Sequence, residues 1–363
     1  MKTFNPIAVS SKFAICGLPI RVDTYKGCSH GCKYCFANYR KIMEFKKGLQ
    51  IGNIDCVRRK LQKTFSDRYN SINFLEYLIR KGITWHCGGM SDPFQPIEEK
   101  LEITKNLVNL TNEYNISILF STKGYSTYGA AIRPDLHSFQ LSFTSTEDRW
   151  DIEPNIAYFW NRYEFYRQLK AQGFRVGIRV QPFIPNVTNA ELVDVFKDAD
   201  YFTIEGLKLV PQNKEHKEYL LELLNLKQSM FTQKGLLNLR IEHRQHFYME
   251  FLKRLKQYKI PYSLADNDLH HISSGQCCCG DPLIKKSTTF NNTALCYNYG
   301  SGYTKEMAFV ELDDCANCVC NSLFTSNRQE DCKTVGDFVN KRFDRKTSPF
   351  SPKFLCLDFK TFE

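Results

Sequence analysis

The stretch "GCSHGCKYCFANYR", residues 27–40, places Cys28, Cys32 and Cys35 in a C-x₃-C-x₂-C spacing. A structural zinc site takes four protein ligands, so three thiols this close together leave a fourth ligand to be found far away or a position left open. An iron–sulfur cluster is held by cysteine thiolates at its corner irons. A 4Fe-4S cube with three cysteines keeps one iron free for a small molecule, and a loop this short can wrap three corners of one cube. Tyr34, immediately before the third cysteine, is placed to lie against a nucleobase. Zinc with a remote fourth cysteine is the alternative.

The rest of the chain sets the frame. Its 363 residues are enough for one large barrel or two average domains. With 42% apolar and 24% charged residues it reads as a soluble globular protein. No run of eighteen apolar residues occurs, so no membrane partner or span is expected. The opening "MKTFNPIAVSSKF" has no apolar signal-peptide core, which points to a cytoplasmic location. In that compartment fifteen cysteines indicate metal or redox chemistry and not a disulfide framework. A formal net charge of +10 favours a polyanionic partner such as nucleic acid, although the positive charge is spread along the chain.

Downstream of the cysteine loop, short β-branched runs alternate with amphipathic helical patterns. Strands are expected at 18–28, 83–89, 116–122, 138–144, 174–184, 200–210 and 260–266. Helices are expected at 71–82, 97–114, 156–173, 190–199, 214–230 and 242–258. In the 97–114 helix, Glu98 and Glu99 fall in the first turn, where the macrodipole favours carboxylates. Repeated strand–helix alternation makes an α/β fold with a parallel sheet, open or closed into a barrel. Active sites of such barrels sit at the C-terminal ends of the strands. Arg240, His243, Arg244 and His246 read as a solvated basic helix start that could also meet phosphate.

Near residue 268 the pattern changes. Cys277, Cys278, Cys279, Cys296, Cys315, Cys318, Cys320 and Cys332 fall within 56 residues that show little periodicity. Such a segment is expected to fold around metal. We therefore divide the chain into a barrel domain, 1–268, and a cysteine-rich extension, 269–363. Cys315, Cys318, Cys320 and Cys332 supply one set of four thiolates. Cys277, Cys279 and Cys296 belong to a second, with Cys278 a spare because adjacent cysteines rarely share a metal. Auxiliary iron–sulfur is the leading reading and zinc the alternative, since thiolate suits both. His270 and His271 read as a polar loop ahead of these cysteines.

The C-x₃-C-x-aromatic-C loop resembles the signature of the radical S-adenosylmethionine (radical SAM) superfamily. That resemblance implies a partial (β/α)6 barrel whose first strand precedes the loop. It also implies S-adenosylmethionine on the open iron of a 4Fe-4S cluster, a reductant such as flavodoxin or ferredoxin, reductive cleavage of the cosubstrate, and hydrogen abstraction from a substrate. "GGMSDPFQPIE" (88–98) and "EPNIAYFWNRYEFYRQLKAQGFRVGIRVQPFIP" (153–185) resemble the spore photoproduct lyase-like branch. The resemblance covers about residues 15–210 and not the C-terminal third. It implies that the backbone of Gly88 and Gly89 binds the methionine amino group. It further implies that Lys123 meets the cosubstrate carboxylate and that Ser142 lies nearby. Where true spore photoproduct lyases carry a hydrogen-donating cysteine, this chain has Gly89. Period-two alternation puts Cys87 on the same strand face, which makes Cys87 the candidate catalytic thiol and a reaction other than photoproduct repair the expectation.

Three functions compete at this point. The first is modification or repair of a nucleic-acid base or nucleotide, and the second is maturation of a peptide or protein side chain. The third, of another class, is a non-catalytic metal-bound nucleic-acid-binding module.

Overall fold

A computed structural model describes residues 1–10, 16–35, 37, 48–210, 214–232, 237–266, 269, 272–275, 277–288, 315–319 and 332–337. Its centre is an eight-stranded sheet. In chain order the strands are Ile7–Val9, Ile20–Val22, Trp85–Cys87, Ile118–Thr122, Ser138–Ser142, Arg175–Phe183, Tyr201–Gly206 and Tyr262–Leu264. From Ile20–Val22 onward each strand pairs in parallel with the next. Ile7–Val9 lies antiparallel on one edge. Helices connect the parallel strands, except that Ile118–Thr122 and Ser138–Ser142 are joined by a loop without a helix.

The strands alternate, and the alternation carries information. Parallel strands covered on both faces usually read as continuous apolar runs. Here one face sends Val22, Trp85, Cys87, Ile118, Phe120, Phe139, Leu141, Ile178, Val180 and Ile204 into the main core. Helices Ile54–Thr64, Phe74–Arg80, Ile103–Glu113, Phe159–Ala171 and Ile241–Gln257 contribute to that same core. The other face carries His86, Ser121, Gln140, Arg179 and Thr203, which hydrogen-bond to one another across strands. His86 Nε2 lies 2.8 Å from Ser121 Oγ. Ser121 Oγ donates to Gln140 Oε1 at 3.1 Å, and Gln140 Nε2 donates to Thr203 Oγ1 at 3.1 Å. Arg179 Nη1 donates to both Ser121 Oγ and Gln140 Oε1, each at 3.1 Å. Contacts between strands two places apart mean that this polar face is concave.

The expected 97–114 helix is broken. Helix Glu98–Leu101 ends at Glu102, whose φ is 52°, and a second helix runs from Ile103 to Glu113. The cause is Glu98. Its buried carboxylate accepts the Thr104 and Lys105 amides at 3.0 and 2.9 Å, so it caps the second helix and does not merely decorate the first. Tyr25 also donates its hydroxyl to Glu98. Helix Glu191–Val195 is shorter than expected.

The boundary expected at 268 falls outside the described residues. The described parts of the extension pack on the sheet. Cys277, Cys279, Leu283 and Ile284 cluster with Leu18, Leu119 and Tyr201 at the start of the strands. Cys315, Cys318, Cys332 and Val335 join the main core. Val319 is tied to the Phe74–Arg80 helix start, donating to the Ile72 carbonyl and accepting from the Phe74 amide. Among the described residues no helix is long and apolar enough to cross a membrane.

Candidate cofactor and substrate site

A cavity of ≈ 160 Å³ opens at the C-terminal ends of the parallel strands. Its wall includes Cys28, Cys32, Tyr34, Cys35, Gly88, Gly89, Lys123 and Ser142. Residues singled out by motif, 114 positions apart at the extremes, thus line one space.

As placed, the sulfurs of Cys28, Cys32 and Cys35 are spread too widely for three ligands of one tetrahedral ion. Among the described residues their sulfurs do not form a group lying within 4.8 Å of one another. Tetrahedral thiolates on one zinc sit about 3.8 Å apart, given Zn–S of about 2.3 Å. Ligands of different corner irons must spread wider. Burial disfavours the thiolates of Cys28 and Cys32. Burial and then the Asp92 charge push Cys28 well up. Burial and then Glu153 push Cys32 up to about 12.

The glycine segment is held in a tight bend. Gly88 has φ +96°, and a Cβ there would sit 2.1 Å from the Ser121 carbonyl oxygen. Asp92 fixes the bend, accepting Thr122 Oγ1 and the Lys123 amide at 2.6 Å and the Phe94 amide at 2.9 Å. His30 Nε2 lies 3.2 Å from Asp92 Oδ2, the oxygen that also accepts the Lys123 amide. Burial would raise Asp92, but His30 and these donors hold it below its usual range.

Glu153 organises the opposite wall. Lys123 Nζ donates to its Oε1 at 2.8 Å and Thr144 Oγ1 at 2.9 Å, and the Tyr34 hydroxyl donates as well. Lys123 therefore already has a carboxylate partner, and its Nζ lies 5.6 Å from the Tyr34 ring centre. Tyr34 is anchored here by its hydroxyl, which limits the face it can offer to a base. Arg162 is buried, donates to the Ser142 carbonyl and lies over Phe143 at 4.1 Å. Burial acts to raise Glu153, yet Lys123 and Arg162 hold it down to about 2.

That shift has a testable sign. The folded chain keeps Glu153 ionised down to about pH 2, while an unfolded carboxyl takes its proton near 4.5. The stabilisation, about 3 kcal/mol, is therefore full above pH ~4.5 and is lost as pH falls toward ~2. Glu153→Gln should unfold in less urea than the parent at pH 6, and the gap should shrink to less than half at pH 3. An unchanged gap would show that Glu153 titrates normally.

Cys87 is displaced from its expected role. It is buried in the main core, and His86, its neighbour, faces the concave side instead. Gly88 with positive φ breaks the alternation, so Cys87 and Gly89 need not share a face. Among the described residues, the only cysteines lining the cavity are those of the loop. Arg244, expected on a solvated face, is also buried. It pairs with Asp266 at 3.4 Å, beside Tyr248, which donates to the same carboxylate at 2.7 Å.

Asp92 and Glu205 stand at strand ends, 87–92 and 205–206, where the strand pattern already directs the search, whereas motif reading missed Glu153, Arg179 and Lys208. Glu205 and Lys208 form an ion pair on the cavity wall. Burial raises Glu205, Lys208 opposes the rise and Asp266 adds to it. Asp92 and Glu153 stand inside the quoted motifs, and their acidic character in apolar surroundings was the available signal.

In the extension, Cys315, Cys318 and Cys332 are buried, but among the described residues only Cys277, Cys278 and Cys279 bring three ligating atoms within 4.8 Å of one another. Cys296, Cys320, His270 and His271 lie outside the described residues.

No family model matches the chain. An uncharacterized protein of Methanocaldococcus jannaschii is 24% identical over 235 residues, covering 60% of this chain and 79% of that protein. Among solved structures, spore photoproduct lyase complexed with dinucleoside spore photoproduct superposes with a TM-score of 0.51 at 17% identity, over 68% of this chain and 76% of the other. A mutant of that lyase with bound AdoMet and the same dinucleoside gives 0.52 at 16% identity, over 70% and 78%. Over about two thirds of its length the chain shares the fold of spore photoproduct lyase. The DPFQPIE segment resembles the same branch.

Proposed function

We propose that the protein is a radical SAM enzyme on a partial (β/α)6 barrel, acting on a nucleic-acid base or nucleotide. The observation that carries this reading is the single cavity. All three loop cysteines and the Gly88, Gly89, Lys123 and Ser142 positions line it, at the end of the strands where barrel enzymes place their chemistry. Cys28, Cys32 and Cys35 would hold a 4Fe-4S cluster. When bound, that cluster supplies one electron for cleavage of S-adenosylmethionine at its open iron.

The chain's own residues bind and orient. The Gly88–Gly89 backbone, free of side chains, allows close approach of a ligand. Asp92 keeps that backbone in its bend. Glu153 pairs with Lys123 and offsets part of the Arg162 charge in a buried setting, so an incoming carboxylate would compete with Glu153 for Lys123. Arg179, Glu205 and Lys208 line the remaining wall and are placed to meet the substrate.

The nucleic-acid reading rests on the charge of +10 and on the likeness to a lyase whose structure contains a dinucleoside. The absence of any cavity cysteine beyond the loop, among the described residues, weighs against hydrogen return by a thiol such as Cys87. Modification is therefore favoured over photoproduct repair. A reductant of the flavodoxin or ferredoxin kind and a cytoplasmic setting belong to the same proposal.

The test is anaerobic. The reconstituted full-length protein with dithionite and S-adenosylmethionine should form 5′-deoxyadenosine, and more of it with oligonucleotide than with peptide. No 5′-deoxyadenosine from protein of full iron content would overturn the enzyme reading. Stimulation by peptide alone would overturn the substrate class.

A further inference from the structure

The second cysteine group lies at the other end of the strands from the cavity. Cys277–Gly280 forms a turn in which the Gly280 amide donates to the Cys277 carbonyl at 2.9 Å and Gly280 has φ +90°. This turn brings the ligating sulfurs of Cys277, Cys278 and Cys279 within 4.8 Å of one another. A fourth thiol is at hand. Cys16 packs against the same cluster, and a Cβ on the adjacent Gly17 would lie 3.1 Å from Cys277 Sγ. The two segments are stitched together by backbone. The Thr288 amide donates to the Gly17 carbonyl at 2.9 Å, and Thr288 Oγ1 donates to the Cys16 carbonyl at 3.1 Å.

We propose that Cys16, Cys277, Cys278 and Cys279 bind a single zinc ion that ties the cysteine-rich extension to the first strand beneath the sheet. The sulfur spacing decides the nuclearity. Thiolates on one tetrahedral ion sit about 3.8 Å apart, which suits Cys277, Cys278 and Cys279, with Cys16, whose thiol donates to the Leu18 carbonyl at 3.3 Å, packed at their edge to complete the set, whereas the thiolates of a cubane attach to different irons and spread wider. Soft thiolates and tetrahedral geometry select zinc among common divalent ions. The site draws on Cys16, 261 positions before Cys277, and gives Cys278 the role of ligand.

The site would also brace the cavity. The Cys279 carbonyl accepts Gln140 Nε2 at 2.8 Å, and the Cys278 carbonyl accepts Thr203 Oγ1 at 2.9 Å. Gln140 Oε1 in turn receives Ser121 Oγ and Arg179 Nη1, both from residues of the cavity wall. The zinc turn would thus hold the polar layer on which the cavity-wall residues Ser121 and Arg179 rest.

The experiment separates this site from the loop by using full-length Cys28→Ala/Cys32→Ala/Cys35→Ala protein, which carries no loop cluster. Adding Cys16→Ser and Cys278→Ser should lower zinc by one per chain, whereas adding Cys315→Ser and Cys318→Ser should leave that zinc in place. A second measurement does not depend on the serine variants folding. N-ethylmaleimide labelling with peptide mapping is compared between the zinc-loaded parent and the same chain shown by metal analysis to have lost its zinc. Cys16, Cys277, Cys278 and Cys279 should label at least tenfold more slowly when loaded. Unchanged zinc in the Cys16→Ser/Cys278→Ser protein, equal labelling in both states, or iron with acid-labile sulfide bound by these four cysteines would each overturn the proposal.

Discussion

Replacing Cys32 with alanine should remove the loop cluster and lower 5′-deoxyadenosine formation to background. Three thiolates are the whole protein anchor for a cube with one open iron, so losing one leaves two, and the cube is no longer retained. The expected loss exceeds the roughly 10–100-fold that removing a mere outer partner of a metal ligand costs. Cys32 is also buried beside Tyr34, Ile152 and Leu207. Trimming its sulfur there deletes a single atom, so between cluster-free proteins stability should fall by no more than about 1 kcal/mol. Iron analysis, product formation and urea unfolding on the same preparation separate the two effects. A folded Cys32→Ala protein with full iron and activity would remove the loop from the mechanism.

Gly88→Ala is the second large effect, and its origin is steric. Alanine at φ +96° is strained, and its Cβ would meet the Ser121 carbonyl oxygen at 2.1 Å. That neighbour is backbone of a central strand and cannot turn aside. A destabilisation of about 3 kcal/mol or more is expected, with loss of S-adenosylmethionine binding as the bend shifts. Gly89→Ala is the control. Its Cβ would meet nothing closer than His86 at 3.8 Å, so stability should stay within about 1 kcal/mol of the parent. Urea unfolding of the two variants gives the comparison, and equal losses would show that Gly88 holds no special bend.

Local chemistry made a good deal of this protein legible in advance. The thiol spacing of Cys28, Cys32 and Cys35, the period of the strands and the glycine-rich bend each involve residues close in the chain. Their consequences, including parallel strands and a site at the strand ends, follow from short-range geometry. The break at Glu102 was less visible, because it depends on a Glu98 carboxylate choosing the amides of Thr104 and Lys105 over its own first turn.

Pairings between distant segments were decided only by tertiary structure. The motifs mark Lys123 and contain Glu153 and Arg162, but their pairing is not written there, and only folding removes the water that would otherwise screen their charges. Cys87 looked available on a strand face, but the sheet turns that face toward the helices and gives His86 to the concave side. Cys16 and the Cys277–Cys279 turn meet because the chain returns to its own beginning beneath the sheet. Spacing along a sequence records which ligands are neighbours in the chain. It holds no record of a ligand supplied 261 positions away, since that contact is set by the closure of the whole fold.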